Sequence, residues 1–328
     1  ERHVLREGAR LLDLERRERF RQLSLPREIP PGTTSGFVLT NLDEGFKFVH
    51  TDFLRSGELQ HVSFVVDVPG FKADYLERDL ERSSYDEVEV VHFGDDMAAF
   101  RAALQALPCC ATNKAGTRPG DPLNLVLVGG EGYALSALAK SGWRPTEVTW
   151  SGSVAKMASS ALGGEPYLYA PISPMYLFGR SQDIALQKAR DNIHQRNHLR
   201  LWLAPMTFQG KPVWVGQISR DIGSRLTIHS PYLTTHKIDP DVDAALVALI
   251  EDMAYSQNLA KIGLVKGVGA APIDMPRENL TTDPYYTHGL RGVLFFDITP
   301  TAVVDIEFLP WEAAEGGFLK ESMQGTQQ

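Results

Sequence analysis

Apolar and polar residues alternate with a period of two along Arg196 to Met206 and again along Gln209 to Gly223. Successive side chains of a strand point to opposite faces. Leu199, Leu201 and Leu203 therefore share one face, and His198, Arg200 and Trp202 share the other. In the second segment Val213 and Val215 share a face, while Trp214, Gly216, Ile218 and Arg220 share the opposite one. Gln209-Gly210-Lys211-Pro212 between them is a turn signal. Pairing Leu203 with Val213 sets Leu201 against Val215 and Trp202 against Trp214, which matches oily residues across the ribbon. The pattern predicts a hairpin with one oily face. The other face gathers both Trp with His198, Arg200 and Arg220, and Asp221 points away from it. Two readings of that face stand side by side. One is a solvated surface with a cross-strand aromatic pair. The other is a pocket wall, because guanidinium groups read carboxylate and phosphate.

Other segments carry simpler signals. Val4 to Phe20 is an Arg/Glu/Leu helix ended by Pro26, Pro30 and Pro31. Gly36 to Asp43, Phe46 to Phe53, His61 to Val68 and Val88 to Phe93 are strands, and Asp74 to Arg82 is a short helix. Asp95 caps a helix to Leu107 with Met97, Phe100 and Leu104 on one stripe. Leu123 to Val128 is an apolar strand of the doubly buried type, followed by a Gly-rich turn and a helix from Tyr133 to Lys140. Ser181 caps a helix from Gln182 to His194. Asp239-Pro240 opens a helix with Val242, Leu246, Leu249, Ile250 and Met253 inward. Gly263 to Pro276 is a loop, and Gly292 to Ile298 with Ala302 to Leu309 form a second hairpin. The fold class is α+β or mixed α/β, a mixed sheet with β-hairpins and flanking helices. The segments are an N-terminal helix and linker (1–32), a strand-rich unit (33–115), a main domain (116–312) and a flexible tail (313–328).

Composition narrows the function. Among 328 residues, 43% are hydrophobic and 23% charged, enough for a sizeable core. Lys and Arg total 33 against 41 Asp and Glu, a net charge of -8, which disfavours nucleic acid as a partner. No apolar run reaches the ~18 residues of a membrane helix. The first residue is Glu1, which implies a processed or engineered start. Cys109 and Cys110 are adjacent, which excludes a disulfide framework and favours two small buried thiols.

Three clusters carry candidate chemistry besides the hairpin face. His236 with Asp239, Asp241 and Asp243 has the donor types for a divalent cation, although helix capping accounts for the Asp residues. Arg180 and Asp183 lie near Arg190, His194 and Arg196. Ser219-Arg220-Asp221 ends the second strand. The sequence contains no Gly-x-Ser-x-Gly elbow and no His-Glu-x-x-His helix.

Several motifs occur in order: Gly120-Asp121-Pro122-Leu123-Asn124-Leu125-Val126, Gly142-Trp143, Gly179-Arg180-x-Gln182-Asp183, Arg196-Asn197-His198-Leu199-Arg200-Leu201-Trp202, Pro212-Val213-Trp214-Val215-Gly216 and His236-x-Ile238-Asp239-x-Asp241-Val242-Asp243. Together they resemble the LssY C-terminal domain family of bacteria, over roughly 120–253. The resemblance implies an envelope-associated setting, a link by name to secretion, and no catalytic assignment. The expected function is non-catalytic binding of an anionic small molecule or lipid, a headgroup or glycan, by Arg180, Asp183, His198, Arg200, Trp202, Trp214, Arg220 and His236. Membrane or membrane-protein partners would be met through the N-terminal helix, and no cofactor is required. The alternative is a metal-assisted hydrolase of phosphoesterase or esterase type, using His236 and Asp239 as metal ligands with His198 and Asp183. The expected location is periplasmic or membrane-anchored, with the cytoplasm as the alternative.

Overall fold

Leu125–Val128 is apolar at every position and buried at every position, which a strand requires when both of its faces are covered. It lies inside a ten-stranded mixed sheet. The computed structural model describes residues 18, 32, 47–55, 58–66, 89–146, 172–189, 196–226 and 234–312. The sheet strands, in chain order, are β1 Val91–His92, β2 Leu125–Val128, β3 Arg144–Pro145, β4 Ile184–Ala189, β5 Arg196–Phe208, β6 Lys211–Leu226, β7 Thr234–Ile238, β8 Leu259–Lys266, β9 Leu290–Phe296 and β10 Glu307–Phe308. Their spatial order is β10-β8-β9-β2-β6-β5-β4-β3, with β7 beside the distal part of β6 and β1 beside the distal end of β5. β2 runs parallel to β9 and antiparallel to β6. The fold is the mixed α+β class that the alternation and helix signals predict. Lys47–Arg55 and Glu58–Val66 form a separate antiparallel hairpin. The chain forms two compact units, Glu1–Glu44 and Gly45–Gln328, and every element named here belongs to the second.

Among the described residues three α-helices accompany the sheet: α1 Met97–Ala106, α2 Ser136–Lys140 and α3 Val242–Tyr255. The cap of α1 is Asp96, not Asp95, and the cap of α3 is Asp241, not Asp239. On one face of the sheet Leu199, Leu201, Leu203 and Trp214 pack with Leu246, Leu249 and Met253 of α3. On the other, Val126, Trp202, Val213, Val215 and Phe295 pack with Phe100 of α1. Phe100 stacks on Phe208 with ring centroids 4.5 Å apart. Burying one such ring stabilises the fold by about 1.5–3 kcal/mol.

Several expectations are corrected. The helix expected from Gln182 is instead the strand β4, held by β5 on one side and Pro145 on the other; cross-strand pairing outweighs its weak helical periodicity. The expected second hairpin does not form: β9 pairs with β8 and β2, and β10 joins β8 in parallel. Leu259–Lys266, partly assigned to a loop, is that β8 strand. Gly129, after β2, has φ +146°, and a Cβ there would meet those of Tyr133 and Phe296 at 3.1 and 3.2 Å, so tight packing accounts for this glycine. Cys109 and Cys110 are joined in a disulfide rather than left as thiols. The N-terminal helix, the helix 74–82 and the tail lie outside the described residues.

Arg291 of β9 is fully buried. Its Nε donates to Leu123 O at 2.6 Å and its Nη2 to Pro108 O at 2.8 Å, while Nη1 donates to Leu104 O. The side chain thus ties the end of α1 and the approach to β2 onto the sheet. Burial lowers its pKa to about 10, so it stays charged at neutral pH. Arg291→Met leaves these carbonyls unsatisfied, and urea denaturation should show a loss of about 2–4 kcal/mol.

Candidate functional site

The pairing of β5 with β6 decides which side chains meet. Trp202 lies opposite Val215, Arg200 opposite Gln217, and His198 opposite Ser219. This register is one residue from the one that pairs Leu203 with Val213; Leu203 faces Trp214 instead. A slip of one residue exchanges the faces of a strand. Trp214 therefore joins the Leu199/Leu201/Leu203 side, opposite Trp202, and the expected Trp pair does not exist. Arg220 lies opposite Asn197. Its Nη2 donates to Ala244 O at 3.3 Å and its Nη1 lies 3.5 Å from Asp239 Oδ2. Asp221, expected to point away, takes the place that Arg220 was expected to fill.

One face of the sheet consequently changes character along its length. At one end Val213, Val215 and Trp202 pack under α1. At the other, Gln217, Ser219 and Asp221 of β6 continue the row beside Arg196, His198 and Arg200 of β5, and all six are at most 5% exposed. Gln187 of β4 lies opposite His198. Arg200 Nη1 donates to Gln217 Oε1 at 2.7 Å, and its Nε and Nη2 donate to Ser173 O at 3.2 and 3.0 Å. Arg196 Nη1 donates to Gln187 Oε1 at 2.9 Å. His198 Nε2 lies 3.4 Å from Asp221 Oδ2.

Two carboxylates reach the cluster from outside the main sheet. Asp121 belongs to the short strand Pro119–Pro122, which pairs with Cys110–Thr112. Asp283 closes a turn in which Asn279 Oδ1 accepts from the amides of Thr281 and Asp283 at 2.9 Å. The Asn279 side chain also bonds Asp121. Burial raises the pKa of Asp121; Arg200 and Asn279 oppose the shift, and Asp283 adds to it. Burial raises Asp221 well above the ordinary carboxyl value against the pull of Arg196 and Arg200, and Asp121 and Asp283 reinforce the rise. Burial also lowers Arg196, while Asp221 opposes that shift. Desolvation penalises each charged form, and the like charges of neighbouring carboxylates add to the penalty.

The remaining candidates lie elsewhere. Arg180 grips Asp183 with two 2.8 Å bonds and donates to Leu203 O at 2.7 Å, while Leu203 N donates to Asp183 Oδ2 at 2.8 Å. The pair satisfies the β5 backbone where its register with β6 shifts, between Leu203 and Thr207. Asp239 Oδ1 accepts from Asp241 N at 3.1 Å. The backbone of His236 pairs with Ser224; its side chain, with Arg190 and His194, is outside the described residues. Among the described residues no three His, Cys, Asp or Glu side chains are grouped to hold a metal ion.

The profile of the LssY C-terminus family matches residues 101–290. The chain belongs to this family. The matched span includes residues 101–106 of α1, the whole charged cluster and the turn at Asn279–Asp283, so every residue of the charged cluster is part of the LssY C-terminus domain. No curated protein and no solved structure matches the chain.

A carboxyl group whose pKa rises on folding binds more protons in the native state than in the unfolded state. Its contribution to stability is present below the unfolded pKa and is lost as pH rises through the folded value. Asp221→Asn removes that loss. Denaturation at about pH 4.5 and about pH 8 should find the variant gaining on the wild type at the higher pH, and a difference independent of pH contradicts the assignment.

Proposed function

We propose that this LssY C-terminus domain is a non-catalytic binding module whose ligand is anionic, a lipid headgroup or glycan, taken at the charged end of the sheet face. The observation that carries this reading is the burial of Arg196, Arg200 and His198 together on one face. Two guanidinium groups are costly to hold away from water. Their counter-charges are Asp121, Asp221 and Asp283, and burial biases Asp121 and Asp221 towards their neutral forms. Each proton taken up by these carboxyl groups leaves guanidinium charge for an incoming anion to balance. Anion binding and proton uptake are therefore linked. Arg180 and Asp183 support the strand bearing Arg200, and Trp202 forms the apolar border of the site.

An envelope setting and a membrane partner met through the N-terminal segment rest on the family resemblance. No helix among the described residues is long and apolar enough to cross a membrane. The approach of His198 to Asp221 at 3.4 Å favours a second reading, a hydrolase in which the imidazole moves a proton. A metal-assisted form of it would draw on His236 and Asp239.

Diethyl phosphate keeps one negative charge across the neutral range, so it isolates the protein's titration. Calorimetry should find it binding about tenfold tighter near pH 5.5 than near pH 8, because a tenfold change needs only about 1.4 kcal/mol of linkage. Binding that is absent, or equal at the two pH values, contradicts the module. Turnover of a phosphodiester or ester panel by the wild type that is lost in His198→Gln favours the hydrolase.

A further inference from the structure

The chain has 2 cysteines, Cys109 and Cys110, and they are joined to each other. A disulfide staples a fold by closing a loop in the unfolded chain, and its effect grows with the length of that loop. A bridge between neighbours encloses no intervening residue, so it contributes least of all in this way. The segment around it has anchors that do not involve sulfur. Arg291 Nη2 donates to Pro108 O and Leu123 N donates to Cys109 O, both at 2.8 Å. Cys110 lies in register with Pro122, and Ala111 is fully buried.

The two sulfur atoms have different surroundings. Cys109 is exposed, just beyond the end of α1, whereas Cys110 is 5% exposed. Cys110 Sγ lies 3.9 Å from the hydroxyl of Tyr285, a buried residue. A disulfide sulfur carries no proton, so in this contact the phenol is the donor. Burial raises the pKa of Tyr285, against the opposing pull of the Arg277 guanidinium, so the donor keeps its proton at neutral pH. Arg277 lies opposite Tyr285 in a short antiparallel ladder. Thiol–disulfide exchange is favoured by an accessible sulfur to attack and a second sulfur that leaves readily as thiolate. We propose that Cys109–Cys110 is a reversible redox site, exchanged by a dithiol reductant that attacks Cys109 and releases Cys110 as a thiolate beside the Tyr285 hydroxyl. A thiolate of the reductant forms a bond to Cys109 Sγ, the Cys109–Cys110 bond breaks, and its electron pair passes to Cys110 Sγ. The reductant's second thiolate then attacks its own sulfur in the mixed disulfide and displaces Cys109. The reductant leaves as a disulfide, two electrons poorer, and the protein holds two thiols once each sulfur takes a proton. The anchors at Pro108, Cys109 and Cys110 keep the change local.

The full chain, purified in air without reductant, is assayed for thiols with dithiobis(nitrobenzoate) before and after treatment with dithiothreitol, in the absence of denaturant. No thiol should react before treatment, and both cysteines should react after it. Near-ultraviolet circular dichroism should be preserved, and glutathione disulfide should close the bridge again. Free thiols in the untreated protein, reduction that needs denaturant, or reduction that unfolds the chain overturns the redox site. Tyr285→Phe should slow the reduction about three- to tenfold, the value of one hydrogen bond. It should also raise the pH at which the reduced protein forms thiolate, read by ultraviolet absorbance, which a packing role would not do. An unchanged rate and an unchanged thiolate titration in the folded variant overturn the release of Cys110 beside Tyr285. Single-cysteine variants test the direction of attack without touching Tyr285. With glutathione disulfide, Cys110→Ser, which keeps the exposed Cys109, should form a mixed disulfide at least about tenfold faster than Cys109→Ser. Equal rates, or the reverse order, overturn attack at Cys109.

Discussion

The one-residue choice of register between β5 and β6 decides the chemistry of this domain. With Arg200 opposite Gln217 and His198 opposite Ser219, Arg196, His198, Arg200 and Asp221 fall together at one end of the face on the α1 side. The aliphatic and aromatic residues fall at the other. A neighbouring register would carry Trp214 to the α1 side and turn Asp221 away from His198. The register is held from several directions. β2 pairs with β6 from Val213 to Gly216. Gly216 has no side chain where a Cβ would meet Leu201 and Leu125 at 3.0 and 3.1 Å. The Arg180–Asp183 pair binds both backbone groups of Leu203. Asn124 bonds both the amide and the carbonyl of Ile218. These contacts are local, yet together they fix the residues of the charged end.

The charged end is stable for reasons unlike those of an exposed ion pair. Each guanidinium group is satisfied first by neutral acceptors: Ser173 O and Gln217 for Arg200, Gln187 for Arg196. The carboxylates then sit near the guanidinium groups, within a cluster where burial opposes every charge. Such an arrangement responds to protons and to ligands more readily than a fully paired one. Arg291, on β9, offers a contrast. It is buried among backbone carbonyls and serves the fold.

Much of this was legible in the strand pattern. Alternation placed His198, Arg200 and Trp202 on one face, and the doubly buried run at Leu125–Val128 marked the interior of the sheet. The register was not legible, because Val213, Trp214 and Val215 are all apolar and pair acceptably either way with Leu201, Trp202 and Leu203. The cost of a Cβ at Gly216 depends on neighbours that only the fold supplies. Once the register is known, Gln217, Ser219 and Asp221 follow from the same period of two. Asp121 and Asp283 had no such signal: each comes from a short irregular segment delivered by tertiary packing. Arg220 and Asp239 carried a strong charge signal, but they meet each other at the start of α3.

The central claim is that burial, more than ion pairing, sets the charge of the carboxyl groups in this cluster. Carbon-13 titration of the Asp side-chain carboxyl carbons tests it directly. Asp221 should titrate well above its ordinary value of 3.8, with Asp121 shifted in the same direction. Midpoints at or below 3.8 for both would contradict the account and make the cluster an ordinary set of salt bridges.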